Sequence, residues 1–319
     1  MNDVLLAIGE ALIDFIPDKK ECEFDEVTAF SPKLGGAPAN VCGAYSALGG
    51  NSKLLTQLGD DPFGHKILKE LKRYNIDTNC ISLTDKANTA LAFVSLGKKG
   101  ARTFSFYRKP SADMLYPPES VKKEYFKGAY ALHFCSVSLG GFPMREAHKT
   151  AIEYAKDAGA IISFDPNLRF QLWNDKEALK KTVWEFIPLA DILKISDEEL
   201  NFLTDEEDIN KALGRLFVGN VKLIIYTCGG KGAHAFTKTA AAYRTARDVE
   251  VIDTTGAGDG FIGSFLWKLK SMGINADSLE KLTEAQLSDC LDFSNEFCTL
   301  SVMKHGAIAS YPNEVKILM

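Results

Sequence analysis

The sequence predicts an α/β fold with a mostly parallel central sheet flanked by helices, and three observations carry the prediction. First, residues 4–9, 53–58, 129–134, 160–165, 191–195 and 221–227 are short, largely apolar runs bounded by Gly, Asp or Pro, as strands buried on both faces are. Second, residues 39–48, 63–74, 144–158 and 177–187, lying between those runs, repeat apolar side chains at helical spacing. Strand and helix in alternation imply crossover connections, and hence a parallel sheet covered on both sides. Third, two stretches break the alternation. Residues 11–34 lack a helical period, and 89–107 read as two extended runs joined by Gly97-Lys98-Lys99-Gly100. Thr103, Ser105 and Tyr107 alternate with Phe104 and Phe106, which marks a strand with one buried face and half of a hairpin. Two readings of these excursions stand: a small sheet set off from the main one, or surface hairpins.

Composition narrows the function classes. A chain of 319 residues, 46% hydrophobic and 25% charged, buries a substantial core, which excludes a disordered or disulfide-stapled protein. At about 150 residues per domain two domains fit, but α/β units of about 250 residues are also common. A net charge of −5 without a basic block suits neither a nucleic-acid backbone nor an anionic membrane. The seven cysteines form no CxxC and read as reduced thiols of a cytoplasmic protein. The five histidines fall at neither HxxxH nor HExxH spacing, so no zinc site is expected. The opening residues have neither the basic nor the apolar region of an export signal, and no apolar run is long enough to span a membrane.

Four stretches carry candidate chemistry. In Asp253-Thr254-Thr255-Gly256-Ala257-Gly258-Asp259, placed between an expected strand at 249–252 and an apolar helix at 260–269, the glycines let backbone amides converge at a helix N-terminus, where an anion is favoured. Asp259 at that terminus suits a general base in phosphoryl transfer; the plainer reading makes it an N-cap. Gly258 to Gly263 also spells GxGxxG, but no strand follows to close a dinucleotide-binding unit. Gly35-Gly36-Ala37-Pro38-Ala39-Asn40 opens a helix where a small polar ligand could approach, or is a plain turn. Asp165-Pro166-Asn167-Leu168-Arg169 follows a strand, where open α/β sheets bind ligands. Thr227-Cys228-Gly229-Gly230-Lys231-Gly232 is a glycine-rich turn without Walker spacing.

In this order and spacing the pieces resemble the ribokinase-type (pfkB) carbohydrate and purine kinase family, from Gly9 to Ser310. Gly35–Asn40 with Gly59-Asp60-Asp61-Pro62-Phe63-Gly64 matches one family signature, and Asp253–Asp259 the other. Residues 9–15, 106–114, 165–173 and 194–200 are most similar to fructokinases.

The resemblance implies a ribokinase-like fold: one domain over residues 1–319, with a core of nine or ten strands and a small β-sheet lid from the inserts 11–34 and 89–107. It implies transfer of the γ-phosphoryl of ATP to a sugar hydroxyl, with fructose to fructose 6-phosphate expected first. The alternatives are a 2-keto-3-deoxygluconate kinase, a ribokinase, or an inactive sugar- or nucleoside-binding relative.

The implied roles fall on residues of this chain. Asp259 would be the base, and Gly256, Ala257 and Gly258 the anion hole. Asp14, Gly35, Gly36, Asn40, Arg108 and Arg169 would hold the sugar, with Arg108 reaching from the lid. Lys194, Ser196, Thr227, Gly229, Gly232 and Asn295 would line the ATP site. Glu199 would help place Mg²⁺, through water or directly. Asp253, Thr255, Gly306 and Ser310 would hold a monovalent cation, K⁺, where relatives use one. Ser196 departs from the Asn of the Asn-x-x-Glu motif found in ribokinases. The expected partners are sugar and ATP, with neither nucleic acid nor membrane; a homodimer through the lid is left open.

Overall fold

The computed structural model describes residues 3–19, 24–96, 102–173 and 175–315. From β1 (Val4–Ile8) the chain leaves the main sheet for the hairpin β2 (Leu12–Pro17) and β3 (Phe30–Gly35). It returns through α1 (Ala37–Ala47) to β4 (Asn51–Gly59). Helix α2 (Pro62–Arg73) and the short strands β5 (Ile76–Asp77) and β6 (Ile81–Thr84) complete that edge. A second hairpin follows, β7 (Leu91–Leu96) and β8 (Arg102–Tyr107), whose expected turn at 97–100 lies outside the described residues. Regular βα units then run through β9 (Ala129–Cys135), α3 (Pro143–Asp157), β10 (Ile161–Asp165), α4 (Lys176–Phe186) and β11 (Ile192–Ser196). Helices α5 (Asp197–Thr204) and α6 (Ile209–Leu216) lead to β12 (Leu223–Thr227) and the antiparallel strands β13 (Ala233–Phe236) and β14 (Ala241–Arg244). Helices α7 (Ala257–Ser271) and α8 (Glu284–Val302) close the fold.

Among the described residues the large sheet has ten strands, in the order β14-β13-β12-β11-β10-β9-β1-β4-β5, with β6 also on β4. The pairs from β4 to β12 are parallel, so their carboxyl ends share one edge. Every residue of β9 is buried, as a strand covered on both faces must be. Helices α3 to α6 pack on one face through Met144, Phe186, Leu203 and Leu216, and α1, α7 and α8 on the other through Val41, Phe265 and Leu291. The two excursions form a separate four-stranded sheet, β3-β2-β7-β8, which settles the choice in favour of the small sheet over surface hairpins.

Two boundaries need correction. Residues 249–252 form no strand: Val251 and Ile252 are exposed, and the Ile252 and Asp253 amides donate to the Val302 carbonyl at the end of α8 rather than to a neighbouring strand. The helix expected from 260 begins at Ala257, so Asp259 lies inside its first turn. Gly256, at φ 72°, is the N-cap residue, which removes the N-cap reading of Asp259. No helix among the described residues is long and apolar enough to cross a membrane.

Candidate active site

Close packing of α1 on α7 creates the centre of the site. A Cβ on Gly263 would lie 2.7 Å from Ala44 Cβ and 2.8 Å from the Val41 carbonyl, so only glycine permits this approach. The glycine that completes the GxGxxG pattern therefore serves helix packing. With the two helices this close, Asn40 Nδ2 donates to Asp259 Oδ2 at 2.8 Å. From the loop after β10, Asn167 Nδ2 donates to Asp259 Oδ1 at 3.2 Å, and Asn167 holds a positive φ of 46°. Asp259 is 8% exposed, and its pKa rises to about 6. Burial is the main cause; the Asn40 hydrogen bond opposes it, the Asp165 charge adds to it, and Arg169 and Lys194 oppose it.

A cavity of about 290 Å³ opens beside Asp259, lined by Arg169, Lys194, Glu199, Gly256, Ala257 and Gly258 among others. The Ala257 amide already donates to the Thr254 carbonyl at 3.2 Å, while the Gly258 amide has no backbone acceptor among the described residues. Gly258, on the wall of this cavity, therefore has a backbone amide free of the helix ladder at the positive end of α7, where an anion is favoured. Lys194 Nζ meets Asp165 Oδ2 at 2.6 Å in a buried pair. Burial works against the Lys194 charge, but Asp165 and then Glu199 outweigh it, and its pKa is raised. Glu199 accepts from the Leu168 amide at 2.8 Å and the Ser196 amide at 2.9 Å, tying the loops after β10 and β11 together. Burial, reinforced by Asp165, raises its pKa.

Across the α7 N-terminus lies a second cavity of about 450 Å³, lined by Ser196, Thr227, Gly229, Gly232 and Asn295 with the apolar Val249, Val251, Phe261 and Val302. Every residue expected on the ATP side except Lys194 borders it. Ser196, Glu198, Thr227, Thr254, Ala257 and Gly258 border both cavities, so the larger groove and the compartment of Asp259 meet along the N-termini of α5 and α7. Asn295 also braces the wall, Nδ2 donating to the Arg244 carbonyl at 3.0 Å. Asp253 organises the loop before α7: Oδ1 accepts from the Thr255 amide (2.9 Å) and hydroxyl (2.6 Å), and Oδ2 from the Gly306 amide (2.9 Å). Ser310 shares a hydrogen bond with Ser301 at 2.6 Å and lies in the next turn.

On the small-sheet side, Asp14 on β2 stands over Gly35, where a Cβ would lie 2.0 Å from Asp14 Oδ2. Gly35 and Gly36 precede the helix that carries Asn40. Arg108, which follows β8, lines a small cavity with Met114, Phe142, Leu172 and Trp173. It is 5% exposed, turned inward, and hydrogen-bonded to Asp113, Ser138 and the Val137 carbonyl. Burial opposes its charge, yet Asp113 and Glu10 outweigh that and raise its pKa. The sequence assigns no individual role to Asn167, Asp165 or Tyr311. The Tyr311 hydroxyl donates to the Gly256 carbonyl at 2.8 Å, which no local pattern announces. For Asn167 and Asp165 the local signal is the Asp165–Arg169 stretch itself, which follows β10.

A buried carboxylate in the first turn of a helix, beside one cavity and next to a larger groove, is the arrangement a small-molecule phosphotransferase needs. The chain belongs to the pfkB family of carbohydrate kinases, whose model matches residues 2–314. It is 40% identical over 318 residues to probable fructokinase-4 of Arabidopsis thaliana, covering 99% of this chain and 96% of that protein. The crystal structure of a fructokinase with bound ATP from Xylella fastidiosa matches at a TM-score of 0.89 and 33% identity, over 98% of this chain and 96% of that one. A fructokinase from Vibrio cholerae O395, in a form with fructose, ADP and calcium ion bound, matches at 0.85 and 32% over the same shares. The protein is an ATP-dependent carbohydrate kinase.

Proposed function

We propose that fructose is the acceptor and fructose 6-phosphate the product, in a single domain whose small sheet acts as the lid over the sugar. The Asp259 carboxylate, held from both sides by Asn40 and Asn167 on the wall of the cavity of about 290 Å³, is the observation that carries the mechanism. With a pKa near 6, Asp259 is ionised at neutral pH and basic enough to take a proton from a sugar hydroxyl. The sugar oxygen forms its bond to the γ-phosphorus as the bond to the β,γ-bridging oxygen breaks. ADP leaves and the hydroxyl proton rests on Asp259. The Gly258 amide and the α7 dipole face the charge that moves. The full-length likeness to fructokinases supports fructose as the acceptor.

Mg²⁺ fits this site as an ion carried on the phosphates of ATP. Among the described residues no group of three or more His, Cys, Asp or Glu could hold a metal, and Mg²⁺ usually keeps several waters with only one or two carboxylates. Glu199 would hold one of those waters, and the ion would supply charge neutralisation at the β- and γ-phosphates. A monovalent cation would be held by Asp253, Thr255, Gly306 and Ser310, of which Asp253 already gathers the Thr255 hydroxyl and the Gly306 amide.

A coupled ADP-release assay with Mg-ATP on fructose, glucose, ribose and 2-keto-3-deoxygluconate tests the reading. Fructose should give the highest kcat/KM, and turnover should vanish in excess EDTA. A higher value for another acceptor reassigns the substrate, and no turnover on any of them makes the protein a binding relative.

A further inference from the structure

Four chain crossings join the small sheet to the large one: residues 9–11, Gly36, 85–90 and 108–111. A buried polar network gathers them. Glu10, on the first crossing, accepts from the Ala37 amide at 3.1 Å, just past the second, and from the Ser138 hydroxyl at 2.9 Å. Ser138 belongs to the body of the large sheet, in the turn that follows β9. Arg108, on the fourth crossing, donates to the same hydroxyl at 3.2 Å and pairs with Asp113. Next to Asp113, the Ala112 amide donates to the Asn88 carbonyl at 2.9 Å, which brings in the third crossing. Glu10, Arg108, Asp113 and Ser138 are each at most 5% exposed. Chemistry at Asp259 does not require these charges, and an apolar cluster of the same shape would hold two sheets together at lower desolvation cost.

We propose that Glu10 and Arg108 are positioning residues that latch the stems of the small sheet to Ser138 and so set its angle over the sugar. The proposal rests on the sugar lying between Asp14 and Asn40. Glu10 reaches that region through two routes: its carboxylate fixes the first turn of α1, the helix of Asn40, and the chain runs on into β2 and Asp14 four residues later. Hydrogen bonds and charge give the latch directional geometry, which dispersion contacts lack. The groove on the nucleotide side takes no lining residue from the small sheet or its stems. Disturbing the latch should therefore act on the sugar and spare ATP.

Glu10→Ala tests this in the full chain by two readouts. The expected kinetic result is a fall in kcat/KM for fructose on the order of tenfold or more, as a displaced binding group gives, with KM for ATP unchanged. Glu10→Gln, which keeps hydrogen bonds to Ala37 and Ser138, should recover most of the loss. Hydrogen exchange without any substrate should show faster exchange in β2 and β7 and unchanged exchange in β9 to β11. Exchange needs no assumption about the acceptor, so its outcome separates failure of the latch from failure of the fructose reading, which wild-type turnover measures. Should Glu10→Ala not fold, Ser138→Ala removes only the shared hydroxyl and should shift both readouts the same way by less. Equal changes in both KM values, or exchange that rises across both sheets, would overturn the proposal.

Discussion

The two sides of the α7 N-terminus are built from different materials. The side facing the small sheet is made of side chains from distant parts of the chain, most of them buried: Asn40 and Asn167 on Asp259, Glu10 and Arg108 on Ser138, Asp14 over Gly35. The other side, proposed above for the nucleotide, adds glycine-rich turns and apolar walls to polar residues such as Thr227 and Asn295, and is open enough that Val251 is 55% exposed. A neutral sugar offers only hydroxyls, and telling one sugar from another needs oriented donors and acceptors held against water. ATP brings its own charge and a flat base, which amides, a helix dipole and an apolar surface can hold without deep burial. One side is therefore expected to be sensitive to single side chains and the other to backbone shape.

The sharpest break in that comparison is Asp259→Asn. It keeps the shape but removes the proton acceptor, so kcat should fall about 10²–10⁴-fold. The melting temperature should move little, since one hydrogen bond is lost while a buried charge is removed. A variant that keeps more than a tenth of wild-type kcat would show that Asp259 is no base.

The same residue sets the acidic limb. A base works deprotonated, so kcat/KM should fall on the acid side of its raised pKa, about tenfold per pH unit below about 6, and level off above it. A wild-type profile flat down to the pH of an ordinary aspartate would contradict the burial argument.

Gly232→Ala probes the backbone side. At φ +100°, with a Cβ that would lie 2.0 Å from the Arg244 carbonyl, the change must distort the hairpin beside the nucleotide groove. Strain of roughly 1–3 kcal/mol should raise KM for ATP several-fold and leave KM for fructose alone. Arg108→Ala should give the reverse, a larger rise for fructose than for ATP; matching rises in both would erase the distinction between the sides. The smallest effect belongs to Gly230→Ala, where a Cβ meets nothing within 4 Å, and both KM values should stay within about twofold.

The GxGxxG stretch shows how one local pattern can hold several meanings. Gly258 faces the cleft and Gly263 lets α1 approach, so the glycines matter for reasons unrelated to a dinucleotide. The segment 249–252 shows the opposite failure. It is apolar enough to read as a strand, yet the Val302 carbonyl at the end of α8 takes the Ile252 amide, and that partner lies fifty residues away.

The sequence alone determined the alternation of strands and helices, the apolar strands of the parallel sheet, the two excursions and the turn that carries Asp259. Each follows from side-chain periodicity or from residues adjacent in the chain, and such signals are complete within a short window. Only the tertiary structure decided that the excursions join in one sheet, that Arg108 turns inward to Asp113, and that Asn40 meets Asp259 from 219 residues away. Those outcomes depend on how closely helices pack and on where a buried charge finds its partner. Both are set by contacts between surfaces that no spacing along the chain encodes.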